Sequence, residues 1–453
     1  MSTLKAGFST VNIDPKLGVG IYGYYVPRFA KGILDSLEIN ALALRSGDIS
    51  VILLSVDNGG LPKNISDKMS EKASERTGIP AENIIVSSTH SHTAPVTFPT
   101  KMFDVNEDDV TEYRDFIIEK GAEAAALAYA DLLPAKMGYA IGKAPDRIAY
   151  IRRYRMKDGS TMTCPPINDP DIVGPIGELD QRVNVLRFTR EGGEDIVLLN
   201  YGLHADTVNG ELISADWPGV VRRTVAKVLD GTKCIVFTGA EGDVGSTNVH
   251  PLPGDMNDTE ISFDNEMKSP GMARFIGRAL TGTILQVYDK VAYTDDTTLR
   301  IVHKDVKIPA NVPAKEDLPR AHEYKKLHEE GRDDLIPYSA MELTTVVAEA
   351  IRMCELENGP DYFTLNLVGI RIGGAAFVGI PGEPFTGIGV GIKEAEGFDI
   401  ILPAAITNGY AGYFPMMSAY NEGGYEARSS RYKPGVAELI IECGKEILEE
   451  LKD

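Results

Sequence analysis

The sequence predicts an α/β fold, and three observations support this prediction. Apolar runs of strand length, rich in β-branched residues, recur along the chain, and segments with the helical spacing of apolar residues lie between them. With 43% hydrophobic and 25% charged residues, the composition is that of an ordinary globular protein. The 453 residues suffice for two or three average domains or for one large two-sheet domain, and they contain no clear linker or internal repeat. We therefore predict a single domain over residues 1–453.

Up to residue 238, strands are predicted where a short run is mainly apolar or alternates between apolar and polar residues. These strands span residues 37–45, 50–56, 84–86, 136–141, 147–152, 181–188, 195–203 and 234–238. Helices are predicted where apolar residues recur with helical spacing or where Ala and Glu dominate. They span residues 65–77, 108–132 and 218–229. Such an alternation of the two kinds of segment is typical of an α/β protein.

The remainder of the chain continues this pattern. Helices are predicted for residues 272–288, 313–334 and 436–451, and strands for residues 363–371, 375–380 and 400–406. The G-x-G-x-G at residues 387–391 lacks the G-x-G-x-x-G spacing of a dinucleotide site and follows a Pro-Gly-Glu-Pro break. We therefore predict no dinucleotide cofactor.

Charge and cysteine content exclude several classes of function. The net charge is −20, whereas nucleic acids and anionic membranes are bound by basic surfaces. No uncharged apolar run reaches the roughly 18 to 20 residues of a membrane helix, so we predict no integral membrane segment. The four cysteines are scattered and the N-terminus lacks a secretion signal, which predicts a cytoplasmic protein without a disulfide framework. A homo-oligomer is compatible with these features.

The stretch at residues 84–95, I-I-V-S-S-T-H-S-H-T-A-P, carries the strongest functional signal. A buried strand is predicted to run into His90 and His92, which are two residues apart. In an extended backbone such residues point to the same side, so both imidazoles are expected to face one space. Neutral imidazole is the commonest metal ligand and the usual acid or base near pH 7. The alternative is a polar turn that contains histidine without a function.

Several other polar groups follow predicted strands. His204, Glu383 and Tyr413 each come shortly after an apolar run, as His90 does. In α/β proteins the carboxyl ends of strands converge on the ligand crevice, so residues far apart in sequence can meet there. Two imidazoles, one carboxylate and one phenolate form a plausible shell for zinc. The residue types alone do not distinguish Tyr413 from Tyr410 as the fourth ligand.

Two further features have a functional and a structural interpretation. Arg152 begins the basic cluster at residues 152–155, which is either a solvated strand end or a donor for a substrate oxyanion. The Gly-rich turn at residues 239–248 follows a short strand and can cradle a ligand with its backbone N–H groups. By itself this turn is a weak signal.

Five stretches together resemble a known family. They are S-S-T-H-S-H-T-A-P, G-L-H-A-D, E-G-D-V-G-S-T-N, I-P-G-E-P and T-N-G-Y-A-G-Y, and in this order they resemble the neutral ceramidases, zinc-dependent amidases that cleave the N-acyl bond of ceramide. The resemblance runs from about residue 6 to the end. It implies two central mixed β-sheets packed together with helices on the outside. Within the single domain we predict a helical insertion around residues 310–355, and we do not expect the C-terminal immunoglobulin-like domain that the family has.

The resemblance implies roles for individual residues. The zinc ligands would be His90, His204, Glu383 and Tyr413, the tyrosine being chosen by the family's N-x-Y-x-x-Y pattern. His92 would transfer a proton or orient the substrate, and Arg152 would match an active-site arginine.

The same resemblance places substrate-binding residues in the Gly-rich turn and near the C-terminus. They would be Asp243, Gly245 and Tyr425. Where the family has G-D-V-S-P-N this chain has G-D-V-G-S-T-N, so Gly245 takes the place of the family serine and Ser246 would act as its catalytic substitute.

We therefore predict a zinc-dependent hydrolase that cleaves an amide of a small or lipid-like molecule with metal-activated water. One alternative is an esterase or lactonase that acts on a small polar substrate through the same site. Another is the amidohydrolase barrel, but there the H-x-H pair follows the first strand, whereas here about 80 residues precede it. A third is a metal-stabilised binding protein, in which the metal site would be closed.

Overall fold

The computed structural model describes residues 3–98, 103, 105–255 and 268–452 of the chain. The strands within these ranges are β1 Lys5–Asn12, β2 Gly32–Ile33, β3 Glu38–Ser46, β4 Ile49–Val56, β5 Ile84–Ser88, β6 Leu133–Lys143, β7 Tyr150–Ile151, β8 Arg153–Met156, β9 Thr161–Thr163, β10 Ile172–Pro175, β11 Arg182–Arg190, β12 Ile196–Tyr201, β13 Leu212–Ile213, β14 Lys233–Thr238, β15 Val244–Gly245, β16 Ala292–Thr294, β17 Leu299–Pro309, β18 Tyr362–Ile372, β19 Ala375–Gly379, β20 Glu383–Pro384, β21 Ile400–Ala404 and β22 Tyr413–Phe414. The helices are α1 Lys63–Thr77, α2 Glu107–Ala130, α3 Asp216–Val228, α4 Pro270–Tyr288, α5 Leu318–Glu329, α6 Ala340–Leu356, α7 Thr386–Lys393, α8 Met417–Glu422, α9 Tyr425–Ser429 and α10 Val436–Glu450.

Two mixed sheets form the centre of the fold. The larger has nine strands in the order β14-β12-β11-β6-β1-β3-β4-β5, with β16 also paired to β6. Its β4–β5 and β12–β14 pairs are parallel, and its other pairs are antiparallel. The smaller sheet has the order β17-β18-β19-β21, in which only β19–β21 is parallel. These observations confirm the predicted α/β class with two mixed sheets.

The alternation of side chains along each strand explains the layers. In β3, Leu42 and Leu44 belong to a core cluster that also contains Val368 and Phe377 of the smaller sheet. Ala41 and its neighbours at alternate positions lie instead in a cluster with residues of α1 and α2. Because successive residues of a strand point to opposite faces, one strand serves the sheet–sheet interface and the helical layer together.

Helices cover the outer faces of both sheets. Residues of α3 and α4 pack with β11, β12 and β14 of the larger sheet, and residues of α10 pack with the smaller sheet. Trp217 of α3 is completely buried in this way. In the part of the chain that the structure describes, no helix is both long enough and apolar enough to cross a bilayer.

The larger sheet curls until its two edge regions touch. Ser55 of β4 donates a hydrogen bond to the carbonyl of Val236 in β14 at 2.7 Å, and Thr238 donates to the carbonyl of Ser88 in β5 at 3.5 Å. Strands at opposite ends of the hydrogen-bonding order therefore lie side by side in space. This curl brings together the segments that follow β5, β12 and β14.

Several predicted boundaries differ from the structure. The strand predicted at 147–152 is split into β7 and β8, because the Arg152 backbone bonds to Asp243 and Cys164 instead of continuing one ladder. The helix predicted at 313–334 spans only Leu318–Glu329, since Pro319 is tolerated only in the first turn and Gly331 adopts φ +67°. The chain then forms α6, which lies within the helical insertion predicted around residues 310–355 although no separate helix was predicted there, so both helices lie between β17 and β18.

Strands β1 and β17 were also not predicted. In β1, Gly7 leaves room for the carbonyl of Ala128 in α2, which would lie 2.2 Å from a Cβ atom at that position. In β17 most side chains are partly or fully exposed, since it is an edge strand of the smaller sheet. Both strands lack the continuous apolar pattern that the sequence analysis used to identify strands.

Candidate metal centre

Three side chains from distant parts of the chain meet where the larger sheet closes on itself. His90 follows β5, His204 follows β12, and Glu383 begins β20. Glu383 Oε2 lies 3.3 Å from His90 Nε2 and 3.2 Å from His204 Nε2. All three residues are at most 1% exposed. The structure therefore brings together three of the four residues that the resemblance assigned to a metal.

His90 and His92 also face one space, although not through the extended backbone that we predicted. His90 adopts φ 65°, a left-handed conformation that non-glycine residues adopt mainly at strained functional sites. The two Nε2 atoms are 3.2 Å apart, and the rings are perpendicular with centroids 4.7 Å apart. The prediction that both imidazoles share one space is confirmed, but its physical reason was wrong.

Backbone carbonyls set the orientation of both ligand imidazoles. His204 Nδ1 donates to the carbonyl of Glu241 at 2.8 Å, and His90 Nδ1 contacts the carbonyl of Gly59. Because a carbonyl only accepts, each Nδ1 carries the proton and each Nε2 is free to bind a cation. Burial and the nearby Arg152 lower the pKa of His204 to about 4, so this imidazole is neutral at physiological pH.

Glu383 supplies the charge of the centre. Burial alone would raise its pKa, whereas a positive charge on His90 and His204, or on a cation between them, holds the pKa of this carboxyl well below its ordinary value. No hydrogen-bond donor reaches its buried Oε2 among the described residues. Two imidazole nitrogens thus converge on a carboxylate oxygen that accepts no hydrogen bond among the described residues. This donor set fits zinc, which prefers neutral nitrogen and carboxylate oxygen in a closely packed shell.

Two tyrosines flank Glu383 in different ways. Tyr410 donates to Glu383 Oε1 at 2.9 Å. Tyr413 is the backbone partner of Glu383 in the short β20–β22 pair, and its ring stacks on His204 with centroids 6.5 Å apart. Burial raises the pKa of both phenols well above its ordinary value, so neither ionises without a cation beside it. Both tyrosines are close to the centre, and Tyr413 as a ligand remains a prediction.

Replacing each tyrosine by phenylalanine is expected to separate their roles. A metal-bound phenolate changes the near-ultraviolet absorption when the metal is added. We expect wild type and Tyr410→Phe to show this tyrosinate signal and Tyr413→Phe to lose it. If only Tyr410→Phe loses the signal, Tyr410 and not Tyr413 is the metal-bound phenolate. Titration of metal-free protein with zinc, followed by difference absorption, provides the measurement.

Arg152 is held rigidly beside the centre. Its Nε donates to Glu426 Oε1 at 2.7 Å, and its Nη2 donates to the carbonyl of Gly242 at 2.8 Å. Its Nη1 lies 3.4 Å from His204 Nε2, and its guanidinium carbon lies 5.4 Å from the centre of the Tyr413 ring. Glu426 is completely buried. Arg152 is therefore a fixed cation at the site and not a solvated strand end.

His92 has a polar environment of its own. Its Nδ1 lies 3.6 Å from Asp206 Oδ1, and Asp206 accepts hydrogen bonds from Tyr24 at 2.6 Å and from Lys268 at 2.9 Å. Burial holds the pKa of His92 well below its ordinary value. Although burial alone would raise the pKa of Asp206, the charge of Lys268 and the hydrogen bond from Tyr24 lower it. His92 is therefore a neutral imidazole next to an ionised carboxylate.

Comparison with known proteins shows which solved structures have a similar fold. No protein-family model and no curated protein sequence matches the chain. Among solved structures, the neutral ceramidase from Pseudomonas aeruginosa superposes with a TM-score of 0.74 at 18% identity, over 99% of this chain and 75% of that one. The fold is ceramidase-like. A structure described as a ceramidase complexed with C2 superposes with a TM-score of 0.72 at 17% identity, over 99% of this chain and 76% of that one.

Within the ceramidase-like fold, the other predicted residues lie close to Arg152. Gly245 and Ser246 line a cavity of about 30 Å³, and Ser246 Oγ is buried without a hydrogen-bond partner in the described ranges. Asp243 Oδ1 accepts from the backbone and the hydroxyl of Thr386, at 2.7 and 2.8 Å, so one of its oxygens already serves to hold α7. Tyr425 packs edge-on against Tyr413. The roles of all four in substrate binding or catalysis remain predictions.

The sequence analysis did not identify four polar residues at the centre. Glu241 and Asp206 lie inside the stretches E-G-D-V-G-S-T-N and G-L-H-A-D, so their proximity to the predicted ligands was a usable signal. Tyr24 and Lys268 lie in loops far from any of the five stretches. Because their positions depend on contacts with Asp206 across the fold, no local pattern predicts them.

Proposed function

We propose that the protein is a zinc-dependent hydrolase that cleaves an N-acyl amide bond. The observation that carries this proposal is the convergence of His90 Nε2, His204 Nε2 and the orphaned Glu383 Oε2 next to a cavity. The ceramidase-like fold supports an amide substrate, since the two similar structures are described as ceramidases.

His90, His204 and Glu383 would hold the metal, with Tyr413 as the fourth ligand. When bound, zinc would lower the pKa of a coordinated water to about 7 and polarise the substrate carbonyl. The chain contributes the geometry. Hydrogen bonds from the two Nδ1 atoms to backbone carbonyls keep both Nε2 atoms directed at Glu383, so the site is already shaped for a cation.

His92 is the residue proposed to move the proton. As a neutral imidazole whose Nε2 lies 3.2 Å from His90 Nε2, it can accept a proton from the attacking water. Asp206 stabilises the resulting imidazolium through the charge that faces Nδ1. His92 Nε2 then delivers the proton to the leaving nitrogen of the amide. Lys268 and Tyr24 keep Asp206 ionised and in place.

Arg152 is the residue proposed to stabilise the oxyanion. Its Nε and Nη2 atoms are engaged by Glu426 and Gly242, which leaves Nη1 directed at the space beside His204. A guanidinium fixed in this way needs no reorganisation when negative charge develops on the carbonyl oxygen. Ser246, whose hydroxyl lines the same cavity, is positioned to contact the substrate.

The cavity supports a small polar group on the substrate. It encloses about 30 Å³, the space of roughly one or two water molecules, and its lining includes Arg152, Asp206 and Lys268. Tyr154 and Val249 make part of the lining apolar, but within the described residues the cavity is too small for a long acyl chain. We therefore propose an amide with a compact polar substituent as the substrate class.

Metal analysis combined with a substrate panel tests the proposal. Purified protein is expected to contain about one zinc per chain, to lose hydrolysis of short N-acyl amides on chelation and to regain it with zinc. Ceramide, simple esters and lactones complete the panel. Protein that binds no divalent metal and is unaffected by chelation would contradict the proposal. Faster turnover of esters or lactones than of every amide would instead indicate an esterase or lactonase.

A further inference from the structure

Glu241 lies on the turn between β14 and β15 and is completely buried. Neither of its carboxylate oxygens has a hydrogen-bond partner in the described part of the chain. A buried carboxylate without a partner is strongly destabilising unless it faces a cation or becomes protonated. The position of Glu241 therefore requires an explanation that the metal centre of three ligands does not provide.

The side chain of Glu241 points at that centre. One of its oxygens lies within 4.8 Å of a ligand atom of His90 and of a carboxylate oxygen of Glu383. Glu383 Oε2 is likewise without a hydrogen-bond donor among the described residues. Two buried carboxylates thus lie close to each other and to the His90 imidazole. The nearby cation, Arg152, already donates to Glu426 and to the carbonyl of Gly242.

The turn that carries Glu241 is built against the predicted ligands. The carbonyl of Glu241 accepts from His204 Nδ1 at 2.8 Å, and Gly242 N donates to the carbonyl of Pro384 at 2.9 Å. A Cβ atom at Gly242 would lie 2.5 Å from the carbonyl oxygen of Glu383, so only glycine allows this close approach. The placement of Glu241 relative to His204 and Glu383 is therefore fixed by the backbone.

We propose that Glu241 is a further ligand of the same divalent cation, so that the centre contains two imidazoles and two carboxylates in addition to Tyr413. This proposal rests on the proposed metal-dependent function and specifies the chemistry of its site. Because carboxylate ligands favour harder cations, the second one is expected to allow Mn²⁺ to bind more readily than a site with one carboxylate would.

The alternative is that Glu241 and Glu383 share a proton and that Glu241 does not contact a cation. The two hypotheses differ in what Glu241→Gln does to metal affinity and to stability. Glutamine keeps the size of the side chain and removes its charge. Glu38→Gln is the control, because Glu38 is a partly buried carboxylate that pairs with Arg222 at 3.3 Å, away from the predicted ligands.

Affinities for Zn²⁺ and Mn²⁺ are measured by competition with a chelating indicator for wild type and both variants. We expect Glu241→Gln to weaken binding by about 10-fold or more, with the larger loss for Mn²⁺, and Glu38→Gln to bind like wild type. We also expect metal-free Glu241→Gln to melt no lower than metal-free wild type, since a like-charge repulsion is removed. Added metal should then raise the melting temperature of wild type more than that of Glu241→Gln.

The absorption of cobalt-substituted protein identifies direct coordination. Glu241→Gln is expected to change the visible bands of bound Co²⁺, and Glu38→Gln is not. Unchanged metal affinity and unchanged cobalt bands in Glu241→Gln would overturn the inference and leave the proposed function intact. Failure of wild type to bind any divalent metal would overturn both. If Glu241→Gln does not fold, Glu241→Asp provides the same measurements with the charge kept and the reach shortened.

Discussion

Replacing Glu383 by glutamine is expected to abolish metal binding and hydrolysis together. Glu383 Oε2 lies 3.3 and 3.2 Å from the Nε2 atoms of His90 and His204, so the substitution removes the charge on which the site converges. Loss of an outer partner of a ligand weakens metal affinity about 10- to 100-fold, and loss of the ligand itself should exceed this. We expect hydrolysis to fall at least about 10³-fold, because a bound metal supplies several kcal/mol of transition-state stabilisation.

Glu426→Gln is the matched control for this prediction. Glu426 is as completely buried as Glu383, but it accepts from Arg152 and from Thr163 and not from the histidines. We expect this variant to retain metal and to lose activity only through a displaced Arg152. Metal content by elemental analysis and turnover of a short N-acyl amide are measured for both variants. Full metal content and full activity in Glu383→Gln would refute the proposed centre.

Replacing His92 by glutamine is expected to lower turnover by about 10²- to 10⁴-fold while metal binding is retained. The reason is that His92 Nε2 is the neutral nitrogen beside His90, and its Nδ1 faces the Asp206 carboxylate. Removing this group should also remove one limb of the pH dependence of kcat. Metal content, kcat and the pH–rate profile of the variant and of wild type are the measurements.

An alternative to proton transfer is that His92 is itself a metal ligand. Ligand atoms of His90, His92 and His204 also lie within 4.8 Å of one another, so His92 could itself be a ligand. In that case His92→Gln would lose metal as completely as Glu383→Gln does. Asp206→Asn further distinguishes proton transfer by His92 from metal binding by His92, because Asp206 acts through His92. It should lower kcat and shift the pH–rate profile but leave metal affinity close to that of wild type.

The pairing of charged side chains around the cavity is consistent with the proposed reaction. Arg152 is paired with Glu426 and Lys268 with Asp206, so each cation near the cavity already has a carboxylate partner. Among the described residues, the carboxylate oxygens at the site without a hydrogen-bond donor are both oxygens of Glu241 and Oε2 of Glu383, close to His90. The charges of the site therefore favour a cation at its centre over an anionic substrate.

The sequence by itself determined the strands that follow an apolar or alternating pattern and the polar groups at their ends. The predicted strands at 50–56, 84–86, 195–203 and 234–238 correspond to β4, β5, β12 and β14, because burial on both faces of a sheet leaves a local apolar signature. His90, His204 and Glu383 could be singled out since each follows such a run. Edge strand β17, which is half exposed, has no such signature.

Only the tertiary structure decided which polar groups meet and what they face. Strands β5 and β14 stand at opposite ends of the hydrogen-bonding order, and the curl of the larger sheet alone places them together. The partner of Arg152 is Glu426, 274 residues later, and no donor among the described residues reaches the carboxylate of Glu241, whose turn packs on Glu383. Contacts of this kind depend on the path of the whole chain, whereas the pattern that reveals a strand is set by its nearest neighbours.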